Sequence, residues 1–189
     1  MTQLNYRENL NMKFKAYNGG LRVFKNYEIN DNNINIYFSN IKITLTIFEN
    51  DIVKVFIGDK CEESISTNGV VGDLGKGEFI VEEDSNFLVI KGKKVLTFVD
   101  KNTTEISFRD LEGNIINEDF QPSFKDEKGN VYISKVNDCL AYYGLGEKGG
   151  DLNKKGCYTE NFNTDDPETD DDSVTYYKTI PFYVALKEE

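Results

Sequence analysis

Residues 34–57 alternate apolar and polar side chains with a period of two, and that pattern restricts them to half-buried strands. Ile34, Ile36 and Phe38 alternate with Asn35 and Tyr37. Ile41, Ile43, Leu45 and Ile47 alternate with Lys42, Thr44 and Thr46, and Val53, Val55 and Ile57 follow the polar break Glu49-Asn50-Asp51. Successive side chains of a strand point to opposite faces, so each run has one face to bury. Residues 79–81, 87–90, 95–99 and 104–109 extend the pattern. Between them, Lys91-Gly92-Lys93 and Asp100-Lys101-Asn102 read as hairpin connections. Glu112-Gly113-Asn114 and Lys128-Gly129-Asn130 are further turns, the second leading into Val131, Ile133 and Val136. A last strand spans 179–186, with Ile180, Phe182, Val184 and Leu186 on one face. Sixteen Ile and thirteen Val against three Ala add β-branched residues that fit a pleated surface and penalise helix.

About ten short strands joined by tight turns predict an all-β, antiparallel sandwich or barrel. A chain of 189 residues suits one domain spanning 1–189. Residues 68–77 (NGVVGDLGKG) and 144–160 read as loops, since both are polar or glycine-rich without period. No repeat of fixed length suggests a propeller or solenoid.

Charge and composition remove several function classes. Acidic residues number 33 against 22 basic ones, giving a net charge of −11 and an isoelectric point near 4.6. Such a chain lacks the basic footprint that nucleic acid or an anionic membrane surface requires, so neither is expected as a partner. No segment approaches the ~18 apolar residues of a membrane helix, and the first twenty residues show no signal-peptide core. Histidine is absent. A Ser-His-Asp or Cys-His nucleophile, a histidine base and a histidine metal site are therefore all excluded within this chain. Cys61, Cys139 and Cys157 are odd in number and widely spaced. They read as reduced thiols, buried or inert, in a cytoplasmic protein. No cofactor and no metal is expected.

Residues 160–172 (ENFNTDDPETDDD) carry seven acids and no Lys or Arg. Like charges at this density repel, so the segment reads as an extended loop held between strands. It lacks the Gly and Glu positions of an EF-hand. Asp165, Asp166 and Glu168 suggest a two-carboxylate hydrolase only superficially, because neighbouring exposed acids do not have their pKa values driven apart. They suit binding better than catalysis. The run from Gly144 to Gly150 (GLGEKGG) invites a phosphate-loop reading, but no helical period follows it. Turns needing positive φ account for its glycines.

Three segments in the final third carry a family resemblance. Residues 141–148 (AYYGLGEK) contain a YGLGE turn, 162–165 (FNTD) a Trp/Phe-Asn-x-Asp loop, and 177–183 (YKTIPFY) a Tyr-x-Ser/Thr-Ile-Pro-Phe strand. Together, in this order, they resemble glycoside hydrolase family 31, the α-glucosidase and α-xylosidase family. Residues 44–57 resemble the early hairpin of the same family. The resemblance implies the family's N-terminal β-sandwich, of the galactose-mutarotase-like supersandwich kind. It also implies that the (β/α)8 barrel holding the nucleophile and the acid/base aspartate, which in the family follows this domain, is missing from the 189 residues. The family mechanism is retaining hydrolysis of α-linked glucosides through a covalent intermediate. No catalytic residue is expected in this chain. The family's sugar-binding loop aspartate falls on Asp165, with Asp166 and Thr164 as weaker candidates for substrate binding. A carboxylate there accepts several charge-assisted hydrogen bonds from vicinal hydroxyls. Gly146 and Glu147 read as structural supports of that loop. Lys148 stands where the family often has Arg.

The implied partners are an α-linked oligosaccharide and the parent's own catalytic barrel, and an exposed docking face could also pair two copies as a homo-oligomer. The alternative is a free-standing carbohydrate-binding sandwich that stacks sugars on Tyr142, Tyr143 and Tyr158. A mutarotase-type enzyme is not expected, since that chemistry usually relies on a histidine beside a carboxylate and the chain has no histidine.

Overall fold

A computed structural model describes residues 22–58, 72–125, 131–136, 138–157, 160–168, 170, 173 and 175–188, excepting the side chains of 124, 125 and 131–134. The first 21 residues, Cys61, residues 68–71, the turn Lys128-Gly129-Asn130, Tyr158, Asp171 and Asp172 lie outside this description. The chain divides into two compact units, one running up to Val136 and one containing the residues from Asp138 onward.

In the first unit, strands β1 (Phe24–Asn30), β2 (Asn33–Phe38), β3 (Lys42–Ile47) and β4 (Val53–Gly58) pair in that order as an antiparallel sheet. Strands β5 (Ile80–Glu83), β6 (Phe87–Lys91), β7 (Leu96–Asp100), β8 (Ile106–Arg109), β9 (Ile115–Lys125) and β10 (Val131–Lys135) form a second antiparallel sheet, again between chain neighbours. Opposed residues of an antiparallel pair share a face. Ile34 faces Leu45 and Ile36 faces Ile43, so the period-two pattern becomes one apolar face. Ile34, Ile36, Phe38, Ile43, Leu45 and Ile47 from the first sheet cluster with Leu88, Ile90, Val99 and Ile106 from the second. Two sheets closed over such a cluster make a β-sandwich. The expected all-β, antiparallel architecture is the observed one.

The other face of β3 is polar yet also buried. Lys42, Thr44 and Thr46 are buried, and the two threonine hydroxyls donate to Asn35 Oδ1 at 2.8 Å and Asn33 Oδ1 at 2.6 Å. These cross-strand bonds satisfy groups that burial would otherwise penalise. Arg22 ties the two sheets together at the edge. Its guanidinium donates to Thr104 Oγ1 and to the Ser123 carbonyl, both at 2.7 Å.

Two strands of this unit escape the alternation. β1 has a register shift between Phe24 and Asn26, and a bulge breaks the period of two. β9 inverts the expected polarity: Gln121 and Ser123 are buried whereas Ile116 and Phe120 are exposed. The predicted loop over 68–77 is free of regular structure across its described part, 72–77. No helix among the described residues is long and apolar enough to cross a membrane.

Candidate functional site

The second unit is built on a two-stranded antiparallel ribbon, β11 (Ala141–Gly146) and β12 (Thr179–Leu186). β12 falls on the predicted residues. β11 corrects the expectation of an irregular stretch from residue 144, because Gly144 to Gly146 continue the strand through a bulge. That bulge explains the glycines. Gly144, Leu145 and Gly146 have φ of 120°, 72° and 82°, three successive residues in a region L side chains rarely adopt. A Cβ on Gly144 would meet the Phe182 carbonyl oxygen at 2.6 Å, and one on Gly146 would meet Ile180 N at 2.8 Å. The glycines at 144 and 146 supply positive φ, as expected, but within a strand bulge at a close strand-to-strand approach and not in a turn.

The chain leaving β11 folds back along it. Asn153 Oδ1 accepts from the amides of Tyr142, at 3.1 Å, and Lys155, at 3.0 Å. Lys154 N donates to the Tyr142 carbonyl at 2.8 Å. Lys154 Nζ and Lys155 Nζ donate to the carbonyls of Gly149 and Cys139, each at 2.6 Å. These contacts frame a half-open cleft of about 230 Å³ lined by Tyr142, Tyr143, Leu145, Lys154 and Tyr183. Tyr142 and Tyr183 meet edge to face at 5.7 Å between ring centroids, a favoured aromatic geometry. Burial and the hydrogen bond with the Cys139 thiol push the Tyr142 phenol up to about 12. Of the two described thiols, both free, Cys139 is buried and Cys157 is exposed.

The acidic loop is pinned at its base and along its return limb. Lys148 Nζ donates to the Glu160 carbonyl at 2.6 Å, and Glu147 N donates to the Lys178 carbonyl at 3.2 Å. Gly146 and the Glu147 amide thus meet the chain at residues 178–180, at the base of the loop. Further out, Asn163 and Tyr176 form a parallel bridge, and Thr164 N donates to the Tyr176 carbonyl at 3.1 Å. Thr164 Oγ1 donates to Thr175 Oγ1 at 3.4 Å. The Tyr177 hydroxyl donates to the Asp166 carbonyl at 3.0 Å, and the Tyr176 hydroxyl donates to the carbonyl of Asp170. Asp166 Oδ1 accepts from Glu168 N at 3.0 Å, an Asx-type turn.

The sequence-predicted site residues are contiguous on this loop. Thr164 is half-buried, and Asp165 and Asp166 are exposed. Of the predicted aromatic platform, Tyr142 and Tyr143 line the cleft. Sequence reasoning passed over Tyr183, Leu145 and Lys154, and over the tyrosine contacts of the return limb. Setting the 141–148 segment against the 177–183 segment as one antiparallel pair would have brought Tyr183 opposite Gly144. Among the described residues, no group of three acids or cysteines could hold a metal ion.

Comparison with known proteins now bears on the identity. Residues 42–189 match the family described as the glycosyl hydrolase 31 N-terminal galactose mutarotase-like domain. The chain belongs to that family. Among curated proteins none matches. A Flavobacterium johnsoniae glycoside hydrolase family 31 dextranase, solved with isomaltotriose, superposes with a TM-score of 0.77 at 24% identity. The match covers 87% of this chain and 21% of the dextranase. A cycloalternan-forming enzyme from Listeria monocytogenes, solved with a pentasaccharide substrate, gives 0.65 at 14% identity, covering 87% of this chain and 16% of that one. At these identities both likenesses bear on the fold. The chain thus spans about a fifth or less of the length of these enzymes.

Proposed function

We propose that this chain is the N-terminal sandwich of a retaining, α-glucosidase-type glycoside hydrolase, and that it serves in one domain with a substrate loop rather than with catalytic residues. The observation carrying this reading is the family match over residues 42–189, which includes the loop where the resemblance puts Asp165. The sandwich would brace a catalytic (β/α)8 barrel, and the 160–178 loop would reach the mouth of its pocket. The exposed apolar side chains of β12 favour such a neighbour: Ile180, Phe182, Val184 and Leu186 are each about half exposed or more, with Phe182 at 66%. An isolated two-stranded ribbon is marginal in water and gains stability from a covering surface. Asp165 would accept hydrogen bonds from vicinal sugar hydroxyls, with Asp166 and Thr164 beside it. A cytoplasmic setting belongs to the same reading.

In the whole hydrolase, Asp165→Ala is expected to raise KM for maltose or isomaltose by about 10-fold or more, the loss of a charge-assisted hydrogen bond. An unchanged KM would count against the loop's role. The second reading is a free-standing carbohydrate-binding module. The cleft flanked by Tyr142, Tyr143 and Tyr183 favours it, since such rings can stack on the apolar face of a pyranose.

A further inference from the structure

The backbone on either side of Asp165 is tied down by residues of the returning limb. Thr164 is held through its amide by the Tyr176 carbonyl at 3.1 Å. Asp166 is held through its carbonyl by the Tyr177 hydroxyl at 3.0 Å. Asp165 lies between these two anchors with its carboxylate exposed. The returning limb is itself fixed, because Tyr177 is two residues from the start of β12 and the Lys178 carbonyl accepts from Glu147 N. Lys148 closes the other limb onto the ribbon through the Glu160 carbonyl. Seven acids in thirteen residues repel one another, so the loop needs such ties to hold one shape.

We propose that Tyr177 is a positioning residue, which through its hydroxyl fixes the segment presenting Asp165 and so sets how well that carboxylate meets substrate. This inference rests on the substrate-loop reading above and adds the residue that controls it. A loop that visits the competent shape only part of the time binds more weakly by that fraction. One exposed hydroxyl-to-carbonyl bond is worth a factor of about 3 to 10 in that population. The role uses the donor proton and not the ring, so Phe is the informative replacement.

Two readouts separate the inference from the reading beneath it. Backbone ¹⁵N relaxation on this chain should show order over residues 163–168 falling from rigid values near ~0.85 toward ~0.6 in Tyr177→Phe, with the β11 and β12 amides unchanged. Asp165→Ala should leave that order intact. In the whole hydrolase, Tyr177→Phe should raise KM for isomaltose about 3- to 10-fold, moving KM more than kcat. Unchanged loop order in Tyr177→Phe overturns the proposal. So does a KM that responds to Asp165→Ala and not to Tyr177→Phe. A loosened loop with KM indifferent to both changes overturns it as well, and locates the failure in the substrate reading. Tyr176→Phe, which loses only the tie to Asp170, should spare the order of residues 164–166, and a loss there equal to that in Tyr177→Phe would overturn the proposal.

Discussion

Tyr142 is where chemistry and packing meet most closely in the second unit. Its phenol is pushed up to about 12, first by burial and then by the Cys139 thiol. A raised folded-state value contributes stability fully present below the ordinary phenol value near ~10. That contribution is lost as pH rises through about 12. A tyrosinate absorbance titration should therefore show a late step near pH 12 that Tyr142→Phe removes, and an unaltered curve in the variant would contradict the assignment. In the first unit Asp119 is a buried carboxylate. Its side chain is 2% exposed and pairs with Lys135 Nζ at 2.5 Å, and its other oxygen accepts from Ile106 N at 2.8 Å. Asp119→Ala removes the partner of the Ile106 amide and the ion pair of the part-exposed Lys135, so chemical denaturation should report a loss of about 1–3 kcal/mol.

Among the elements, legibility followed polarity. β2 and β3 declare themselves because Ile34, Ile36, Ile43 and Leu45 fill one face without interruption. β9 does not, because Gln121 and Ser123 point inward while Phe120 points out. In β11 the glycines that look like a loop are strand residues, since the bulge demands positive φ where the Phe182 carbonyl comes close. Gly144→Ala should therefore cost about 1–3 kcal/mol. Because the defect is local, amide exchange should speed up along β11 and β12 while β2 and β3 keep their protection. Uniform protection in the variant would show that the ribbon tolerates a Cβ at this point. The candidate site residues have a different origin. Thr164, Asp165 and Asp166 came from a resemblance, not from any period, and the tyrosines that hold the loop give no local sign because their partners are backbone carbonyls eleven and six residues away.

For the whole molecule, composition excluded more than it assigned: no histidine, and hence no histidine-dependent nucleophile or base, and a net charge of −11 that disfavours nucleic acid. Family membership over residues 42–189 agrees with the division of labour proposed above, in which the sandwich would support a pocket and another domain would do the chemistry. On the proposed reading such a domain would hold too little of the pocket to bind sugar by itself, whereas a free-standing module would carry its complete site. Calorimetric titration of the chain with maltose and isomaltose, alongside Asp165→Ala, separates the two most directly. The account predicts no detectable heat of binding at millimolar sugar. Clear binding that survives Asp165→Ala would contradict it and assign the sugar to the tyrosine-lined cleft.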